Sequence, residues 1–170
     1  MGAAREGVES DMSKKTRATD MLEGAGADFS VHTYDYDADA QHIGLQAAEA
    51  LGEEPARVLK TLMALVDGKP VCVIVPSDRE VSMKKLAAAV GGKSAQMMKP
   101  ADAERITGYK VGGISPFGQR KKSPTVIEAR SLVHDRVYMN GGQRGLQVRL
   151  APAEAQRILG AVAAPLVADT

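Results

Sequence analysis

Between Gly108 and Gly118 the chain reads Gly-Tyr-Lys-Val-Gly-Gly-Ile-Ser-Pro-Phe-Gly, and Gln119-Arg120-Lys121-Lys122 follows at once. The run sets three bare-backbone positions, Gly112, Gly113 and Gly118, around Ser115-Pro116 and beside a cationic rim. Main-chain groups there can approach a ligand closely, and the rim favours an anionic one. The segment reads either as a binding loop or as a set of turns around a hairpin, and the rest of the chain has to decide between them.

With 170 residues and 44% hydrophobic content, the chain has the size of one domain with a substantial core. The net charge of +1 argues against a general nucleic-acid-coating protein but permits a local basic face. Lys110, Arg120, Lys121 and Lys122 form such a face, with no acidic residue between positions 110 and 122. Residues 35–54 are the opposite, with six carboxylates and no Lys or Arg. The single Cys72 allows no internal disulfide, and in Val71-Cys-Val-Ile-Val75 it reads as a core thiol on a buried strand. Three scattered histidines give no metal-ligand spacing, so neither metal nor cofactor is expected. No stretch resembles a membrane span or a signal peptide, which makes the cytoplasm the expected compartment and excludes a membrane partner. Residues 1–11 read as an N-terminal extension, with Met12 as a possible start and Ser13 as the cap of a first helix; the domain then occupies residues 12–170.

Helices and strands alternate without internal repeats. Helices are expected over 14–23, 44–51, 83–90, 100–106 and 152–162, with Ser82 as a cap and Gly24, Gly52, Gly91 and Gly108 as stops. Strands are expected over 29–36, 59–66, 71–75, 124–128, 136–140 and 146–150, the second and third joined as a hairpin through Asp67-Gly68. This spacing favours a single α+β domain with a mixed, curved sheet flanked by helices over a doubly wound one. No Gly-x-Gly-x-x-Gly or Walker arrangement is present, which disfavours nucleotide-cofactor folds.

Three features converge. Lys60 stands at the mouth of the apolar strand in Leu59-Lys-Thr-Leu62, the loop Gly112-Gly113-Ile114-Ser115-Pro116 follows later, and Gly141-Gly142-Gln-Arg144-Gly-Leu146 makes a second glycine turn. Together with His32-Thr-Tyr34 and Gln119-Arg-Lys-Lys122, in this order, they resemble the YbaK/EbsC family of prolyl-tRNA synthetase-associated domains. The resemblance runs from about residue 14 to 162. It implies a partly barrel-like α+β fold and hydrolytic removal of a wrong amino acid from tRNA(Pro) by a free-standing chain. It implies that Lys60 and the Gly112–Pro116 loop are the central functional elements. It also implies that Tyr34, Ile43 and Thr61 line an aminoacyl pocket, with prolyl-tRNA synthetase as partner and Cys-tRNA(Pro) as substrate. Where family members can carry an acidic residue after Arg-Gly-Leu, this chain has Gln147, whose amide cannot act as a base.

The residues are consistent with that chemistry. An aminoacyl ester is already activated, so no metal or dedicated nucleophile is demanded. Ser115 lacks the second glycine of a Gly-x-Ser-x-Gly elbow and is followed by Pro116, so it reads poorly as a nucleophile. The backbone of residues 112–115 is better placed to stabilise a developing oxyanion. Lys60 suits a fixed charge that holds the terminal phosphate or polarises the ester carbonyl. Gly141, Gly142 and Arg144 read as further substrate contacts, and Lys110, Arg120, Lys121 and Lys122 as phosphate contacts of the tRNA that carry little sequence information. With 4% aromatic residues and no Trp, the chain lacks the stacking residues of a sequence-reading RNA binder, and DNA is not an expected partner. An Ala-tRNA(Pro) or broader deacylase, and a non-catalytic module that binds aminoacyl-tRNA, remain open on sequence alone.

Overall fold

The computed structural model describes residues 15–39 and 43–169, apart from the side chain of Ile43. The expected extension, the start at Met12 and the Ser13 cap lie outside these residues. Helix α1 (Arg17–Gly24) begins after Thr16, whose Oγ1 accepts from the Thr19 amide at 3.1 Å while its own amide donates to Thr19 Oγ1 at 2.9 Å. This reciprocal box satisfies two amides that a helix start leaves open. Strand β1 (Phe29–Thr33) follows, ending three residues before Tyr36 where the sequence suggested it would end; from Tyr34 the chain turns, and the Tyr34 amide donates to Gly145 O.

Helix α2 (Ile43–Leu51) precedes the hairpin of β2 (Leu59–Val66) and β3 (Lys69–Pro76), longer on its second arm than the apolar run alone indicated. Then come α3 (Met83–Ala89), capped by Ser82, the short β4 (Ala95–Met97), and α4 (Pro100–Thr107). Strands β5 (Thr125–Glu128), β6 (Val137–Asn140) and β7 (Leu146–Leu150), helix α5 (Pro152–Leu159) and β8 (Val162–Ala164) complete the order. Three of these correct the sequence reading. Helix α1 starts at Arg17, not at residue 14, because Thr16 is extended and caps it. Strand β4 was not foreseen, because three residues are too short for an alternation to register. Helix α5 stops at Leu159, not Val162: Gly160 adopts φ 64°, and Val162 instead opens a parallel strand beside Val126.

The strands form two sheets. One is antiparallel in the order β1-β7-β6; the other is mixed in the order β4-β2-β3-β5-β8, with β3-β5 and β5-β8 parallel. A bridge from Val58 to Tyr138 links them at one corner, and the sheets do not close into a barrel. Strand β3 explains the continuous apolar run. Val71, Val73 and Val75 face one core with Leu86, Val126 and Leu166, while Cys72 and Ile74 face the other with Phe117, Met139 and Leu150. Each such side chain contributes about 1.5–3 kcal/mol on full burial.

Glu128, with 2% of its side chain exposed, ties the C-terminal segment to β5. Its Oε1 accepts from the amides of Leu166 at 2.8 Å and Val167 at 3.1 Å, and its Oε2 from that of Arg130 at 3.0 Å. Burial pushes its carboxyl pKa up, but the three amides and the Arg130 charge outweigh it and leave the net value below the ordinary one. A depressed carboxyl gives stability that is present above the unfolded value and lost as pH falls through the folded one. Glu128→Gln is expected to cost about 1–3 kcal/mol at neutral pH. Urea unfolding should show the gap closing as pH drops below 4.5, the unperturbed value; a gap independent of pH would remove the ionised carboxylate from this account.

Candidate active site

Strand β4 pairs only with Ala64–Val66 of β2, so the earlier part of β2 presents an edge that no described strand covers. A cavity of about 440 Å³ opens along that edge, bounded by β2, the β6–β7 turn region, α4 and the glycine loop. Lys60 and Thr61 line it from β2, Tyr34 from the chain after β1, Gly112 and Ile114 from the loop, and Gln147 from β7. Lys60 stands at the rim, 22% of its side chain exposed, with Nζ 3.4 Å from Oε2 of the exposed Glu80. An exposed pair of this kind contributes little to stability and leaves the ammonium available to a ligand.

Deeper in, two polar atoms lack partners. Thr61 Oγ1 and Gln147 Oε1 are buried, line the cavity, and make no hydrogen bond. A buried acceptor without a donor costs on the order of 1–3 kcal/mol, which a ligand carrying one can recover. Tyr34 lies beside the Gln147 amide; burial, then the neighbouring Tyr36, raise its phenol pKa, opposed by that amide. Opposite Gln147 in register is His32. Burial, then the Arg149 charge, lower its pKa below 6.5, so the imidazole is neutral at pH 7.

The loop is held from several sides. Phe117, fully buried, anchors it in the core, and Tyr109 Oη donates to Phe117 O at 2.6 Å. Arg17 Nε donates to Gly118 O at 3.1 Å. Gly112 adopts φ 91°, favourable only to glycine, and its carbonyl accepts from Asn140 Nδ2 at 3.2 Å. At Gly113 a Cβ would come within 2.8 Å of the Arg144 amide nitrogen, so the two backbones touch as they can only without a side chain. Arg144 Nε in turn donates to Val111 O at 2.9 Å.

Of the sequence-selected residues, the structure brings Tyr34, Lys60, Thr61, Gly112 and Ile114 to one cavity. The Ile43 side chain lies outside the described residues. Gly113, Ser115 and Pro116 are buried behind the cavity wall. The Gly113 amide is spent on Lys110 O at 2.7 Å. Ser115 Oγ accepts from the Phe117 amide at 3.1 Å, and the residue is fully buried. Gly141, Gly142 and Arg144 back the loop and do not line the cavity; Thr16 Oγ1 donates to Gly141 O at 2.6 Å. Lys110, Arg120, Lys121 and Lys122 are exposed and also stand off the cavity. Sequence reasoning missed Asn140, Glu80 and Ser77 as part of the site, and gave Gln147 no function. Only Asn140 carried a usable signal, its place directly before Gly141-Gly142. Cys72 is fully buried, with its pKa pushed up to about 12 by burial, and is chemically quiet.

An α+β domain with a largely apolar cleft between two sheets, a few buried polar groups within it, a lysine at its rim and glycine backbone in its wall is thus defined. The chain belongs to the family of the aminoacyl-tRNA editing domain, whose model matches residues 39–158. EbsC of Enterococcus faecalis, described as a Cys-tRNA(Pro)/Cys-tRNA(Cys) deacylase, is 34% identical over 141 residues, covering 82% of this chain and 85% of that protein. A proline–tRNA ligase of Maridesulfovibrio salexigens is 31% identical over 105 residues, which cover 18% of the ligase. A crystal structure described as that of a trans-editing enzyme for prolyl-tRNA synthetase superposes with a TM-score of 0.79 at 23% identity, over 90% of this chain and 96% of that one. It supports the fold.

Gly113→Ala is expected to destabilise the protein by about 1–3 kcal/mol, because the added methyl meets backbone that cannot rotate away. Thermal unfolding checks this; a variant as stable as the parent would show that the two loops are not in firm contact.

Proposed function

We propose that the protein is a trans-acting editing deacylase that hydrolyses Cys-tRNA(Pro), working in the cytoplasm beside prolyl-tRNA synthetase. The observation that carries this reading is the pairing of a rim cation, Lys60, with buried unpartnered polar atoms of Thr61 and Gln147 in one cavity. Family membership and the likeness to EbsC support the ester of an aminoacyl-tRNA as the bond cleaved.

Lys60 holds the terminal phosphate or polarises the ester carbonyl. With the Gly113 amide engaged, the amides of Gly112 and Ile114, which line the cavity and bond no other described residue, are the loop's candidates for receiving the developing oxyanion. Ser115 shapes the loop through its bond to the Phe117 amide and forms no covalent intermediate. The attacking group is water or the substrate's own thiol. Gln147 Oε1 accepts and Thr61 Oγ1 donates or accepts, a set that matches a small side chain ending in a thiol or hydroxyl. An alanyl side chain would leave both atoms unpaired, so the cavity favours cysteine, with serine as the second reading, over alanine. Lys110, Arg120, Lys121 and Lys122 supply positional phosphate contacts away from the cavity, and selectivity for tRNA(Pro) comes from the synthetase.

Incubation with Cys-, Ser- and Ala-tRNA(Pro) tests the reading. Rapid loss of the cysteinyl ester is expected, and binding without turnover on all three would make the chain a non-catalytic module. Lys60→Ala should lower turnover at least tenfold, about 1.4 kcal/mol, with unchanged thermal stability. Near-parental turnover by the folded variant would return Lys60 to the surface. Gln147→Leu should narrow the preference for Cys over Ala about tenfold while sparing the alanyl rate; a preference left intact would place the discrimination elsewhere.

A further inference from the structure

A second cavity, of about 90 Å³, lies on the other side of the segment 76–80: Ser77 and Glu80 line the first cavity, Pro76 and Arg79 the second. Its wall includes Arg79, Arg130, Ser131 and His134, with Glu128 beneath. No role described above uses it. It holds two buried polar atoms that lack partners, Arg79 Nε and Ser131 Oγ. Ser131 is 1% exposed. Arg79 is held by Nη2, which donates to Ala168 O at 3.2 Å, leaving its Nε–H unused.

We infer that this cavity is a binding site for a phosphate oxyanion. Arg79 Nε–H and the Ser131 hydroxyl are donors, and a guanidinium with a free N–H is a strong partner for phosphate oxygens. Arg130 borders the same space with 58% of its side chain exposed, its Nε 3.8 Å from Glu128 Oε2. The nearby carboxylates are already engaged. Both Glu128 oxygens accept from backbone amides, and Asp169 Oδ1 lies 3.0 Å from Lys85 Nζ. The walls therefore carry Arg79 and Arg130 against Glu128 alone, a net positive site. Its volume exceeds the roughly 10–15 Å³ that one water needs. Because the two cavities share the 76–80 wall, a chain with its ester at Lys60 could place a backbone phosphate here. That assignment to RNA rests on the deacylase reading; the oxyanion site itself does not.

Thermal unfolding and ¹⁵N–¹H spectra of the whole protein, titrated with inorganic phosphate against chloride at constant ionic strength, test the site. A saturable rise in Tm with movement of the Arg79 Nε–H resonance is expected. Arg79→Gln and Ser131→Ala should each weaken phosphate binding at least tenfold. Ser131→Ala should unfold at the parental temperature without phosphate, because its hydroxyl has no bond to lose. The absence of a saturable effect, or an equal effect in parent and both variants, would overturn the proposal and leave a water-filled cavity. In a second arm, binding of acceptor-stem RNA with a single-stranded 3′ end is followed across a salt series. A slope of log K against log salt lower by about 0.7 in Arg79→Gln identifies an RNA phosphate. An unchanged slope, with phosphate binding lost, identifies a free phosphate and still upholds the site. Turnover of a phosphate-free cysteinyl ester should be equal in parent and variants; a parent inactive on every ester would defeat the deacylase reading without touching the phosphate result.

Discussion

The site exists because two stretches of main chain touch. Gly113 packs on the backbone at Gln143 and Arg144, and the contact brings the β6–β7 turn against a loop whose Phe117 is anchored in the core shared by both sheets. The wall of the cleft, the position of Gln147 and the seat of Asn140 under the Gly112 carbonyl follow from that approach. Side chains then fasten it. Arg144 reaches Val111 O, Arg17 reaches Gly118 O and Thr107 O, and Tyr109 reaches Phe117 O. Each bond contributes about 1 kcal/mol, and together they fix the loop without occupying the groups that face the cavity.

Polar satisfaction describes the same division of labour. Among the described residues four buried side-chain atoms lack a partner, and all four border one of the two cavities. Folded proteins pair such groups almost without exception. Here the unpaired ones all belong to residues that line a cavity.

Much of this was legible in the sequence. The apolar run 59–66, the Asp67-Gly68 turn and the helix stops gave the hairpin and three of the five helices to within one residue at either end, and the family resemblance placed Lys60, Thr61 and Tyr34 at one pocket. What failed did so for identifiable reasons. Val162 looks helical in sequence because the apolar spacing runs on past Gly160; only the parallel partner Val126 makes it a strand. The three-residue β4 has no periodicity to detect. Gly113 and Gly112 look equivalent in sequence, yet one touches backbone and the other lines the cleft, a difference set by long-range packing. Glu80 and Ser77 carry no motif, and they enter the site because the chain after β3 folds back over the mouth of β2. Arg79, their neighbour, ends up on the opposite side of the same wall.

The pairing of β1 with β7 sets an order of events during synthesis. Phe29 is matched with Leu150 and Thr33 with Leu146, and β1 has no other strand neighbour among the described residues. Its ladder must therefore wait while more than a hundred intervening residues emerge from the ribosome, whereas the β2–β3 hairpin closes over a two-residue turn as soon as it is made. Loop closure over such a span is slow and costly in entropy. The mouth of the cleft is built on a hairpin that is local in sequence; its far wall, which carries Gln147, is synthesised well after Lys60. A growing chain thus has its lysine long before it has the wall that faces it, and the cleft can be completed only after β7 has been made and paired with β1.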